Sequence, residues 1–337
     1  MGTVSKLRLG TNRSTVATVI TLLIFAVALV LPQFVSSYNV GVMTRMLILS
    51  LTAMSFSLLA GYGGLLSLAQ ALFRGLTAYV IAIGMLRHGW SAEYAILFAV
   101  SLTVAFSVLF GWIARGLAWL YFLMMSLAVG QLGHSLAMNW GKMTRGFDGI
   151  HGVPGLTLFN VDLSGRVTYF YFTLIFVFLC YLALKRITQS PFGIALQGVR
   201  DNPTRMASLG FNVRWQKHLA IVLSSFFASL SGVIYIFYYQ SATPRMLELS
   251  AAVSILFVAL LGGVARIEGG IIGAIVYVLI DDFGRSLTER YMTIIGVFFV
   301  LMVLFFPGGI VSLQEIVRGW LSRSKSVATK GVVPPKS

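Results

Sequence analysis

One cysteine, ten acidic side chains and a charged fraction of 10% mark what these 337 residues have little of. An ordinary soluble domain carries roughly 25% charged residues, so a soluble globular fold is disfavoured from the outset. Cys180 alone makes no intrachain disulfide, and it leaves zinc ribbons and iron–sulfur clusters without their ligands. The four histidines, His88, His134, His151 and His218, lie in separate segments without metal-ligand spacing, so no metal or other cofactor is expected on this chain. No G-x-x-x-x-G-K-[ST] phosphate loop occurs, so any use of nucleotide has to enter through a partner. Paired carboxylates and a nucleophile–base arrangement are also missing, which argues against an enzyme.

What the chain does have is apolar sequence, 58% of it. Apolar runs long enough for a bilayer core of about 30 Å recur along its length. Ten are read, over 15–35, 44–60, 66–86, 92–113, 117–138, 169–184, 218–240, 250–262, 270–283 and 291–306. The eighth and ninth are short enough to form a hairpin that does not fully cross. The expected fold is therefore an all-α polytopic membrane protein of about ten transmembrane or half-spanning helices. Its expected parts are a cytoplasmic tail over 1–14, a membrane domain over 15–306 and a second cytoplasmic tail over 307–337.

The excess of 25 basic over 10 acidic residues tests the orientation. With the N-terminus in the cytoplasm and ten crossings, sixteen basic residues fall inside against three acids, and eight outside against seven. That is the positive-inside pattern, and a nucleic-acid partner is not needed to account for the charge.

Two connections are long. The outer one, 139–168, is rich in glycine and carries Arg145 and Asp148; it is either a solvated loop or a docking surface. Asp148 is either a turn-forming side chain or a contact for a docked protein. The inner one, 185–217, is basic, with Ser190 and Pro191 suited to opening a short helix and a turn at Asn202-Pro203. Its apolar Ile194, Ala195, Val199, Met206 and Leu209 suit either a membrane surface or a groove on another protein.

The run Ser190-Pro191-Phe192-Gly193, Ala195-Leu196, Val199-Arg200-Asp201-Asn202 and Leu209-Gly210 resembles the cytoplasmic loop of branched-chain amino acid ABC importer permeases, in particular their LivM-like branch. Three further blocks agree in order: Gly61-Tyr62-Gly63-Gly64 with Ser67-Leu68; Thr144-Arg145-Gly146-Phe147-Asp148-Gly149 with Gly152-Val153-Pro154; and Leu261-Gly262-Gly263 with Gly269 and Gly273. The chain departs from the family pattern at Ala69, Gln70, Arg74, Ile194 and Gly270, which leaves the solute open.

The resemblance implies a non-catalytic permease subunit in the bacterial inner membrane. Its implied partners are a second, LivH-like permease, two cytoplasmic ATPase subunits that hold ATP and magnesium, and a periplasmic substrate-binding protein. Pro191, Phe192, Gly193, Arg200, Asp201, Arg205, Leu209 and Gly210 are then the expected ATPase-coupling residues. Gln70 and Arg74 are candidates for the substrate path, because charge within a membrane helix is expensive and usually faces a path or a partner. Gly61, Gly63 and Gly64 are candidates as breaks in a helix that lines a cavity, or as packing positions. The rival reading is an ion-coupled secondary transporter of a small organic solute, which would want acidic groups deeper in the membrane than the rims.

Overall fold

The computed structural model describes residues 24, 25, 27–33, 36–158 and 161–287, with isolated positions between 293 and 309. The first and tenth apolar runs and both expected tails fall largely or wholly outside these residues.

Among the described residues nine helices of eleven residues or more follow the apolar runs or the basic connection. They are α1 (Ser37–Ser57), α2 (Gln70–His88), α3 (Ala92–Ala114), α4 (Trp119–Asn139), α5 (Arg166–Gln189), α6 (Pro191–Asp201), α8 (Val213–Tyr239), α9 (Leu249–Gly262) and α10 (Ile267–Leu287). Between α6 and α8 lies the short α7 (Pro203–Ser208), capped by Asn202, whose side chain accepts the Arg205 amide at 2.9 Å. Three two-residue strands belong to the long loop and a fourth follows α8. Strand β1 (Ile150–His151) pairs antiparallel with β4 (Ser241–Ala242), and β2 (Thr157–Leu158) with β3 (Val161–Asp162). These strands modify the all-helical expectation only in the 139–166 connection and just after α8.

Among the described residues five helices are long and apolar enough to cross a membrane: α1 with its continuation to Tyr62, α3, α4, α5 and α8. A sixth span is possible if α9 and α10 count together; they meet at a bend of 112°. Runs eight and nine, expected as a hairpin, form an elbow, a broken span or a re-entrant loop, whose second limb is the longer. α10 has 21 residues, about 31 Å at 1.5 Å per residue. Its Glu268 reaches Lys185 at 3.5 Å near one end of the bundle, and its Asp282 accepts the Tyr38 hydroxyl at 2.6 Å near the other. α2 has 19 residues but is made less apolar by Gln70, Arg74 and Arg87.

The bundle therefore has a loop end, carrying 139–166, and an opposite hairpin end, carrying α6 and α7. At its centre α8 packs on α1, α2 and α3, while α10 and α5 flank α1. The contact face of α8 is made of small residues, with Ser224, Ser225, Ser229, Ser231 and Gly232 all buried. Inside a bilayer, association has no hydrophobic drive, so close backbone approach and interhelical hydrogen bonds take its place. Thr52 and Ser231 hydroxyls meet at 2.6 Å, and Ser231 also donates to the Ile48 carbonyl at 2.9 Å. At the loop end Arg45 of α1 is fixed by Asp281 of α10 at 2.7 Å, with Arg285 at 3.1 Å on the same carboxylate.

Candidate functional site: the helical hairpin and the broken helix

Ser190 and Pro191 stop α5 and start α6, since proline at the first helical position lacks only an amide that would go unused. Gly193 then lies against the Thr188 backbone, where even one added carbon would collide. So α6 folds back tightly under the bundle. Ala195, Leu196 and Val199 are buried against it, and Phe192 is partly buried beside them. This differs from the expected outward apolar face, which included Ala195 and Val199. The outward face is Ile194, Leu209, Phe211 and Trp215, each 42–66% exposed, among the exposed Arg200, Arg205 and Arg214. Gly210, at φ 87°, ends the short α7 and lets the chain swing to α8.

Arg200 does more than sit at a rim. Its guanidinium pairs with the neighbouring Asp201 at 2.8 Å, and it also donates to the carbonyl of Gly61. Gly61 belongs to the π-helical turn Leu58–Tyr62 in which α1 breaks. A side chain at Gly61 would strike the Val264 carbonyl in the α9–α10 elbow. Gly63 lies near Leu196 of α6, and Gly64, at φ 67°, lies against the Arg200 side chain. The three glycines thus gather at the hairpin end, wedged between α6 and the elbow. A cavity of about 390 Å³ adjoins them, lined in part by Tyr62, Lys185, Gln197, Arg266 and Glu268.

Beyond Gly64 the chain runs irregular but inward-facing through Leu65 and Ser67, both buried, to Gln70 at the start of α2. Gln70 is 1% exposed. Its amide nitrogen donates to the Ser224 hydroxyl at 2.7 Å and its oxygen accepts from the Ser55 hydroxyl at 3.2 Å, which knits α1, α2 and α8 together. Arg74 follows one turn later and is 5% exposed, nearer the helix start than the apolar run suggested. Its guanidinium stands over the Tyr235 ring at 5.2 Å, and its Nε has no hydrogen-bond partner among the described residues.

Arg145 and Asp148 lie at the other end, exposed on the 139–166 loop, with Phe147 beside them 70% exposed. Arg145 adopts a left-handed φ of 62°. The Asp148 backbone carbonyl, rather than its carboxylate, meets His151 Nε2 at 2.7 Å. Further along, the hydroxyl and backbone amide of Ser164 hold the Asp162 carboxyl below the usual carboxylate range. Gly152 and Val153 donate to the Gln240 carbonyl at 3.1 Å each, which ties the loop to the end of α8. No group of histidines, cysteine and acids suited to a metal occurs among the described residues.

Residues 38–307 match the family described as the permease component of the branched-chain amino acid transport system. The high-affinity branched-chain amino acid transport permease LivM of Escherichia coli is 25% identical over 319 residues, which cover 88% of this chain and 75% of the relative. LivM of Salmonella typhimurium is 25% identical over 317 residues, 87% of this chain and 74% of the relative. A tyrosine transport system permease protein of Clostridioides difficile shares 32% over 85 residues, 25% of this chain and 29% of that one. No solved structure matches the chain significantly. With the helical bundle, the broken α1 and four ordered motif blocks in place, the chain belongs to the branched-chain amino acid ABC permease family, as a LivM-like, multi-pass membrane subunit.

Proposed function

We propose that this chain is one permease half of an ATP-driven importer in the bacterial inner membrane, with residues 15–306 as its membrane domain and both termini in the cytoplasm. In this reading it crosses the membrane ten times. A second, LivH-like permease completes the path, two ATPase subunits dock beneath α6 and α7, and a periplasmic binding protein delivers solute to the 139–166 loop. ATP and magnesium belong to the ATPase subunits alone. The solute is a branched-chain or other amino acid, or a related carboxylate or amide.

The observation that carries the reading is the bond from Arg200 to Gly61. It joins a hairpin with an exposed apolar and basic face to the end of α1, and the same chain continues from Gly61 to Gln70 nine residues on and Arg74 thirteen residues on. An ATPase that seats Ile194, Leu209, Phe211 and Trp215 in a groove can pull on α6 when it closes on ATP. Arg200 passes that displacement to Gly61, and from there to the elbow and to α2. Gly193 and Phe192 hold α6 against the bundle so that the pull moves a rigid body rather than unfolding a loop. At the centre, Gln70 and Arg74 provide the polar station past which a solute moves.

Reconstitution into proteoliposomes tests this. Uptake of labelled leucine is expected only when the permease pair, the ATPases, the binding protein and internal ATP are all present. Uptake driven by a proton or sodium gradient with the ATPases left out would overturn the proposal in favour of an ion-coupled transporter.

A further inference from the structure

At the loop end α1, α5 and α8 enclose a cavity of about 510 Å³, whose lining includes Tyr38, Arg45, Arg166, Tyr238, Tyr239 and Gln240. Among the described residues two guanidinium groups line it and no carboxylate does. Three acids that bond to lining residues or their neighbours are already engaged: Asp281 by Arg45 and Arg285, Asp282 by Tyr38, and Asp162 by Ser164. Arg45 is held in place by its ion pair. Arg166 is exposed and has no ion-pair partner among the described residues. It stands in the first turn of α5, where a cation opposes the helix dipole, so the helix itself gives no reason for its presence.

The rest of the lining is a fixed aromatic wall. The Tyr169 hydroxyl donates to the Ile234 carbonyl at 2.6 Å and that of Tyr238 to the Gly41 carbonyl at 2.9 Å, which locks both rings. Tyr238 and Tyr239 meet edge to face at 4.8 Å. From the cavity the ladder continues inward. Tyr239 packs on Tyr235 at 4.4 Å, and Tyr235 lies under the Arg74 guanidinium, whose buried Nε is unpaired. A second cation with an open donor thus ends the ladder.

We infer that this cavity is a binding site for a small monocarboxylate with an apolar or aromatic body, neutral amino acids included, its carboxylate on Arg166 and its body against the tyrosine wall. A guanidinium matches a carboxylate with two parallel hydrogen bonds, and flat rings hold an apolar body with little loss of freedom. The 139–166 loop is bonded to Gln240, a residue of the lining, so solute released at that loop arrives at the cavity mouth. The inference rests on the permease reading and names what this chain holds first.

The test is equilibrium binding to the assembled transporter in nanodiscs, without binding protein or nucleotide. Labelled leucine, phenylalanine and benzoate are the probes, with 4-methylpentanoate and 3-methylbutylamine as competitors. The carboxylate is expected to compete and the amine not to. Arg166→Gln is expected to weaken binding about tenfold or more and to raise the KM for uptake with kcat retained, and Arg166→Lys to recover part of the affinity. Tyr239→Leu, which leaves both arginines in place, is expected to weaken phenylalanine and benzoate more than leucine. Binding that is unchanged in Arg166→Gln, competition by the amine alone, or no binding of any probe would overturn the site. A complex whose uptake ignores ATP would instead overturn the permease reading.

Discussion

Replacing Arg200 by glutamine removes the charged donor that ties α6 to Gly61 while leaving the exposed hairpin face intact. A hydrogen bond from a charged group contributes about 1.5–3 kcal/mol. The Arg200 side chain is 36% exposed, so water replaces part of that bond and about 1–2 kcal/mol remains. If this is the free energy that couples hairpin position to the broken helix, its loss lets the two slip by a factor of roughly 5–30. ATP-driven uptake in proteoliposomes is then expected to fall by that factor, while ATP hydrolysis stays within about twofold of the parent. Asp201→Asn is the matched control. It removes only a surface ion pair whose acid is 66% exposed, worth about 0–1 kcal/mol, and should leave both readouts near the parent. Unchanged uptake in Arg200→Gln would refute the linkage. Loss of hydrolysis together with uptake would mean that Arg200 holds the ATPase itself.

Leu209→Glu changes a side chain that is 66% exposed, so helical content and insertion should hold within about 0.5 kcal/mol, while co-purification of the ATPase subunits drops sharply. Gly61→Ala forces a carbon onto the Val264 carbonyl, and uptake should fall with the thermal midpoint, because backbone on both sides must move. Gly193→Ala meets the Thr188 backbone and should loosen α6, seen as new protease cleavage between residues 185 and 217; intact resistance would show that the turn tolerates the extra carbon. Arg74→Met keeps the apolar stem but removes the charge over Tyr235, so a fold near the parent with altered uptake kinetics is expected. If folding and not kinetics suffers, Arg74 has a structural role.

The apolar runs placed α3, α4, α8 and α9 to within a few residues, because a membrane helix is dictated by local composition alone. Ser190 and Pro191 likewise marked α6, since capping is local chemistry, whereas Asn202-Pro203, read as a turn, opens the short α7. What stayed hidden depends on partners far away in the chain. Arg45 and Asp281 look like two separate loop charges until α1 and α10 bring residues 236 apart to 2.7 Å. Gln70 reads as a path candidate by its polarity, and only the fold shows that Ser55 and Ser224 hold both ends of its amide. A glycine carries no chemistry of its own, so whether Gly61 lines a cavity or admits a neighbour is decided only by the Val264 carbonyl beside it.

The hairpin shows the same division in one segment. Periodicity identified an amphipathic α6, but which face turns inward depends on how α5 ends, and that is set by Gly193 lying on Thr188. Once that contact is made, Leu196 and Val199 are committed to the bundle, and Ile194 and Leu209 are left outside. Arg200, on the boundary between the two faces, is then close enough to Gly61 to bond it. A residue that reads as a rim charge is by this geometry a strut. Of the exposed apolar groups, Ile194 lies on this helix of eleven residues, while Leu209, Phe211 and Trp215 follow it in the chain, and Arg200 of the same helix bonds Gly61. In the proposed mechanism a helix that short and that tightly anchored moves as a unit and carries a displacement of its outer face to Gly61.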